Sequence, residues 1–237
     1  MSLSNPRQVN PASKFIEWSG SRGKFCFYDK TREANDKNVY FDKPIFIVPL
    51  DELSTIKGFH KQSTSGIYSN EVKNISKDIL IVKAFKGGSI VTGTYNEIKG
   101  SLEGGKYAKS VYAVMITGDK DDTTLELVNI SFVGSSLNAF IDAKINIDRG
   151  CIVSLSPSTD ELKNGTTTYF APQIKKHAIR KDIIFEKCID MDKQLQCYLN
   201  GYLNKPSEEQ ESITDATIGN VMNNELGGEF AEDDLPF

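Results

Sequence analysis

Gly100-Ser-Leu-Glu-Gly-Gly105-Lys106 has the G-x-x-x-x-G-K spacing with which a loop wraps phosphates. Such a loop also needs Ser or Thr after the lysine, to ligate magnesium, and a helix that begins there. Tyr107 stands in that place, and Tyr107 to Ile116 reads as a strand, so a turn in a β hairpin is expected instead. His60 and His177 sit in GFHKQ and KKHAI, with no G-x-S-x-G and no Cys–His signature to make either a catalytic base. Cys26, Cys151, Cys188 and Cys197 form no C-x-x-C pair, which speaks against a zinc site and against a disulfide framework. Asp121-Asp122 and Asp190-Met-Asp192 pair carboxylates, but a hydrated turn and a helix surface account for them. The chain is expected to be no enzyme and to use no cofactor and no metal.

A second pattern concerns rings beside cations. In Trp18-Ser-Gly-Ser-Arg22-Gly-Lys24-Phe25-Cys26-Phe27-Tyr28-Asp29-Lys30 they alternate across two strand-like pieces and a glycine turn. Phe59-His-Lys61, Tyr68, Lys83-Ala-Phe85-Lys86, Tyr107-Ala-Lys109 and Tyr169-Phe170, with Lys175-Lys176 close behind, continue it. Single-stranded nucleic acid calls for this mixture, because bases stack on aromatic faces whatever their sequence while Lys and Arg track the phosphates. The contacts expected in the first stretch are Trp18, Arg22, Lys24, Tyr28 and Lys30. Lys61, Tyr68, Lys83, Lys86, Tyr107 and Lys109 are expected to extend them. Alternation puts Phe25 and Phe27 on one face of their strand, expected as core, and leaves Tyr28 with Trp18 as the exposed platform.

The formal charge of −4 conceals a division. From Ser207 onward there are nine acidic residues (Glu208, Glu209, Glu211, Asp215, Glu225, Glu229, Glu232, Asp233 and Asp234) and no Lys or Arg. The other 23 acidic residues face all 28 basic ones, a net of +5 for residues 1–206. A mildly basic body with a wholly acidic tail suggests an interaction tail.

The elements that must position these residues are mostly strands. Short β-branched and aromatic runs such as FCFY, IFIV, ILIV, VYAVMI, LELVNI and CIVSL are separated by turn clusters such as SGSRG, KGGS and GDKDD. Lys163-Asn164-Gly165-Thr166 reads as a hairpin turn. A short helix is expected at Leu137–Ala143, and a longer one near 181–203, where Ile184, Cys188, Met191, Leu195, Tyr198 and Leu199 recur at helical spacing. Many short strands with few helices favour a barrel or sandwich. After Pro206 the periodicity ends, and 207–237 is expected to be a disordered acidic tail on a single domain of residues 1–206. No stretch reaches the roughly 20 apolar residues of a membrane helix, and MSLSNPRQVNP lacks an apolar signal segment, so a cytoplasmic protein is expected.

Asp233-Asp234-Leu235-Pro236-Phe237 resembles the acidic tip of bacterial single-stranded DNA-binding proteins: a short Asp run, an aliphatic residue, Pro and a terminal Phe. The length, the aromatic and basic β-rich body and the helix before the tail resemble phage-encoded single-stranded DNA-binding proteins. The resemblance implies an OB-fold-like Greek-key barrel with insertions, acting in replication, recombination or repair in a host cytoplasm. It further implies that Asp233, Asp234, Leu235, Pro236 and Phe237 dock on replication or recombination enzymes. A homo-oligomer is compatible with it. The alternatives are a β-rich phage structural or assembly protein whose tail is merely solubilising, and a nucleotide-hydrolysing enzyme using Gly100–Lys106.

Overall fold

The computed structural model describes residues 9–33, 36–118, 123–147, 150–177 and 183–205, and these are mainly β. The strands are β1 (Lys14–Ser19), β2 (Lys24–Tyr28), β3 (Asn38–Tyr40), β4 (Ile45–His60), β5 (Ser65–Ser69), β6 (Leu80–Ala84) and β7 (Ser89–Gly93). A four-residue helix, α1 (Tyr95–Ile98), precedes β8 (Gly105–Thr117) and β9 (Thr124–Val133). Then come α2 (Ser135–Asp142), β10 (Ile152–Ser156), the hairpin β11 (Glu161–Asn164) and β12 (Thr167–Phe170), β13 (Gln173–His177) and α3 (Ile183–Leu203). Both longer helices fall where the periodicity puts them. The phosphate-loop spacing leads into a strand that starts at Gly105, as expected, but it is no hairpin turn: a 3-10 turn at Lys99–Ser101 links α1 to β8, and β7 and β8 do not pair. Among the described residues no helix is long and apolar enough to cross a membrane.

One large mixed sheet runs β3-β2-β1-β9-β8-β4-β5-β6-β7, with only the β1–β9 neighbours parallel along that path. Its centre is β8, whose Val-Tyr-Ala-Val-Met-Ile run is apolar in both directions because both faces are covered. Val111, Ala113 and Met115 join Ile16, Phe25, Ile47, Ile130 and Phe132 in a core that includes Leu137 and Phe140 of α2. Tyr112 and Val114 point the other way, into a second core with Cys188, Leu195, Tyr198 and Leu199 of α3. A third cluster holds Ile56, Ile67, Leu80 and Val82 against Ile98 of α1.

The expected closed barrel is not formed among the described strands: β3 and β7 end the ladder without pairing each other. The reason lies in β4, which is 16 residues long and slips register between Pro49 and Asp51. Proline has no N–H for the ladder, and a bulge there bends the strand. The first part of β4 pairs β10 through Ile45 to Ile47, while its last part pairs β5 through Lys57 to His60. β4 therefore forks the sheet into two wings, β10–β13 and β5–β7, where a barrel strand would carry one continuous neighbour. Across the opening, α2 packs against both β9 and β13.

Candidate nucleic-acid interface

Paired residues on adjacent strands point to the same side, and successive residues along a strand alternate, so the register assigns every strand residue to a face. From Tyr40 on β3 the pairs run to Cys26 on β2, Glu17 on β1, Ser131 on β9 and Ser110 on β8. Four residues before Ser110, and thus on the same face, Lys106 pairs Lys57 on β4. Lys57 pairs Tyr68 on β5, which pairs Lys83 on β6. Lys24 and Tyr28 flank Cys26 two residues to either side. One face of the sheet therefore carries Lys24, Tyr28, Tyr40, Lys57, Lys106, Tyr68 and Lys83.

That face is concave. The Lys57 ammonium meets the Glu17 carboxylate at 2.7 Å although β9 and β8 lie between their strands. Strands stand about 4.8 Å apart, so two side chains bridge three such intervals only if the surface curls toward them. Between them the face presents only small buried side chains, Ala108, Ser110 and Ser131, and the Ser131 hydroxyl has no hydrogen-bond partner. Lys57 itself is only 6% exposed.

A second carboxylate reaches the same face from the segment after β5. Glu71 accepts hydrogen bonds from the Ser110 hydroxyl and, at 2.8 Å, from the Tyr112 hydroxyl. Its backbone N–H donates to the Tyr202 hydroxyl of α3 at 3.0 Å, and Asn129 donates to Ser110 Oγ at 2.6 Å. Burial pushes the Glu71 pKa up, against the pull of the Ser110 and Tyr112 hydrogen bonds and the Lys57 charge. The Tyr112 hydroxyl is pushed well above its ordinary value by burial and by the Glu71 charge. The network is a hydrogen-bonded polar floor with a lysine built into it. Among the described residues no group of His, Cys, Asp and Glu is arranged to hold a metal ion.

Several cations stand at the edges of this face, among others spread over the described surface. Arg22, in the β1–β2 turn, lays its guanidinium over the Tyr40 ring, 4.5 Å from the centroid, and meets Asp36 at 3.5 Å. Lys24 pairs with Asp42 at 2.7 Å, and Lys30 is exposed in the turn after β2. In that turn the Asp29 carboxyl is held below its ordinary value by hydrogen bonds from the Thr31 hydroxyl and N–H. At the far rim Lys61 and Lys86 are exposed in the β4–β5 and β6–β7 turns, which meet where Lys86 Nζ donates to the Thr64 carbonyl at 2.7 Å.

Four of the expected contact residues are placed otherwise. Trp18 pairs Phe25 and so faces the α2 core, where its ring meets Phe25 edge-on at 4.8 Å and its Nε1–H donates to the Phe170 carbonyl at 3.0 Å. Tyr107 and Lys109 lie on that side of β8 too; Tyr107 packs on Tyr95 at 6.3 Å, and Lys109 forms an ion pair with Glu52. Tyr68 is on the concave face but only 6% exposed, its ring against Phe85 at 4.9 Å. For the three rings the physical cause is common: a strand buries its large apolar surface, and a ring is the cheapest large surface to bury. Lys109 follows its strand's alternation and pairs with Glu52 instead. Phe25 is core as expected, and Phe27 packs against the core partly buried, tilted on Phe41.

Tyr40, Lys57 and Lys106 were not among the expected contacts. In the sequence Tyr40 belongs to a short strand-like run, Val39-Tyr40-Phe41, and Lys106 to the phosphate-loop spacing. Their alternation relative to Tyr28 and Lys83 would have found them once the β2–β3 and β4–β8 pairings were known. Asp233, Asp234, Leu235, Pro236 and Phe237 lie outside the described residues. No family model, no curated protein and no solved structure matches the chain significantly.

Proposed function

We propose that the protein binds single-stranded DNA without sequence preference during phage replication, recombination or repair. The observation that carries this reading is the concave sheet face, with Arg22, Lys24, Tyr28 and Tyr40 at one rim and Lys83 and Lys86 at the other. A groove with cations on both rims and rings at one of them suits a strand whose phosphates need neutralising and whose bases need a π-face. On this reading the curved strands β2-β1-β9-β8-β4-β10 over α2 serve as an OB-like body, and β5–β7 is an insertion that deepens the groove. The acidic residues 207–237 act as a tether whose tip, Leu235-Pro236-Phe237 behind Asp233-Asp234, docks on replication enzymes through an apolar pocket with a basic rim.

Titration of the full-length protein with a fluorescent oligo-dT tests the reading. Tight binding is expected, with log affinity falling against log salt by about 0.7 per phosphate contacted. Absence of binding at low salt would leave the structural or assembly alternative in its place. For the tail, deletion of 229–237 should leave the fold intact, tighten oligo-dT binding at low salt and abolish pull-down of replication proteins. Undiminished pull-down would refute recruitment while leaving DNA binding standing.

A further inference from the structure

The geometry points to the guanidinium of Arg22 as a preorganised stacking plane for an unpaired nucleobase, an assignment that rests on the single-strand reading above. Several fixtures hold that plane. The Tyr40 ring lies beneath it, 4.5 Å from the guanidinium carbon, and Asp36 meets one of its edges at 3.5 Å. The turn that carries Arg22 is pinned on both sides of it, because Phe170 N–H donates to the Gly20 carbonyl and Ser158 N–H to the Gly23 carbonyl, each at 2.9 Å. Gly23, at φ +64°, packs so closely that a Cβ there would stand 2.2 Å from the Ser158 carbonyl oxygen. No other residue type fits that position without moving the strap between β10 and β13, so the turn is fixed in place by steric necessity as well as by hydrogen bonds.

Within this clamp the Arg22 side chain keeps 54% of its surface exposed. An exposed arginine side chain is ordinarily loose, and its contacts here reduce what remains to be ordered. A planar cation already held flat gives a base a stacking face and a positive charge in one group, and little ordering is left to do on binding. Lys24 and Tyr28 lie further along the same face, so a strand leaving Arg22 passes a second cation and a second ring. Bases in a duplex are already stacked on each other, so the plane suits unpaired ones.

The test separates plane from charge. Full-length wild type, Arg22→Lys, Arg22→Ala, Tyr40→Phe and Tyr40→Leu are titrated with oligo-dT carrying one 2-aminopurine, whose fluorescence is quenched by stacking. Arg22→Lys keeps the charge and loses the plane, and is expected to bind about fivefold or more weakly with an unchanged salt slope, less quenching and an unchanged melting temperature. Arg22→Ala should weaken binding further and lower the salt slope by about 0.7. Tyr40→Phe, which keeps the backing ring, should retain more quenching and affinity than Tyr40→Leu, which should resemble Arg22→Lys. If Arg22→Lys binds and quenches like wild type while wild type binds well, the stacking assignment falls and the proposed function stands. If wild type does not bind oligo-dT at all, both fall together.

Discussion

On β8, Val111, Ala113 and Met115 point into an apolar core under α2, whereas Ser110 and Tyr112 on the opposite face bind the Glu71 carboxylate. The first side is specified by shape: Phe132 stacks on Phe140 at 4.5 Å and meets Phe25 at 6.4 Å, with no polar atom to direct them. The second side is specified by directed bonds, from Tyr202 through Glu71 to Ser110 and Asn129, with the Lys57–Glu17 pair beside them. Apolar packing supplies most of the stability and tolerates no holes. Hydrogen-bonded packing supplies less, but it fixes positions, and it lies on the side that carries Lys24 and Lys83 toward its edges. The two sides therefore differ in kind: one is specified by apolar shape alone, the other by the α3 core together with directed bonds around Glu71.

The largest effect should therefore come from the apolar side. Phe132→Ala removes a fully buried ring that touches both Phe25 and Phe140, and is expected to destabilise the fold by about 3–5 kcal/mol. Urea unfolding measures it. Oligo-dT affinity of the fraction still folded should not change, because nothing on the concave face has moved. A loss under about 1 kcal/mol would mean that this core does not carry the sheet.

Next in size is Lys57→Met, which takes the ammonium from Glu17 and leaves a carboxylate with 16% of its side chain exposed. Stranding a mostly buried charge costs about 1–3 kcal/mol or more. The double variant Glu17→Gln/Lys57→Met should recover most of that loss, since no charge is then left without its partner. If the double variant is as unstable as the single one, the pair is held by packing of the lysine stem and not by charge.

Much of this arrangement is legible in the sequence, and the part that is not has a definite cause. Strand positions, the 181–203 helix and the hairpin at Lys163–Thr166 follow from local periodicity and turn residues, which are properties of neighbouring positions. Which ring faces which side is not local. Trp18 and Tyr28 both sit beside cations, yet β1 pairs Trp18 to Phe25 on the core side, while β2 turns Tyr28 to the side of Tyr40. Tyr68, next to Ser69 and three residues after Ser65, gives no sign that Phe85 will cover it from the turn after β6. The fork at β4 is equally hidden: Pro49 announces a bulge, but only the pairing shows that β10 and β5 share the strand. Glu71 and Lys57 read as ordinary surface charges, because burial of an ion depends on partners distant in the chain.

A smaller effect, and one that grows with pH, is expected from Glu71→Gln. The folded-state pKa of Glu71 is raised above its ordinary 4.5 by burial, so near neutrality ionising it weighs more against the folded chain than the unfolded one. Below the ordinary value both states hold the proton and no pH dependence arises. Between the ordinary and the raised value the folded chain holds a proton that the unfolded chain has released, so wild-type stability falls as pH rises through that window. Gln cannot ionise and escapes this loss. The melting temperature of Glu71→Gln relative to wild type should rise as pH increases from the ordinary carboxylate value of 4.5 through the raised folded-state value. A flat difference would show that the carboxylate is ionised without penalty, and the polar face would then be a solvated one.

Trp18→Phe should have the smallest effect and bears on the assignment of faces most directly. Phe keeps an aromatic ring against Phe25 but loses the indole N–H that donates to the Phe170 carbonyl and two ring carbons of a partly buried side chain. That carbonyl still accepts from the Ser135 hydroxyl at 3.0 Å, so no buried acceptor is orphaned, and the cost should be about 1 kcal/mol. The loss should be local: amide exchange at Phe170, whose N–H donates to Gly20, is expected to speed up, because the β11–β12 hairpin is tied to the β1–β2 turn through these bonds. Oligo-dT affinity should be unchanged, since the ring lies on the core side of β1. A fall in affinity without a fall in stability would put Trp18 against the bases, and the concave face would then not be the surface that meets DNA.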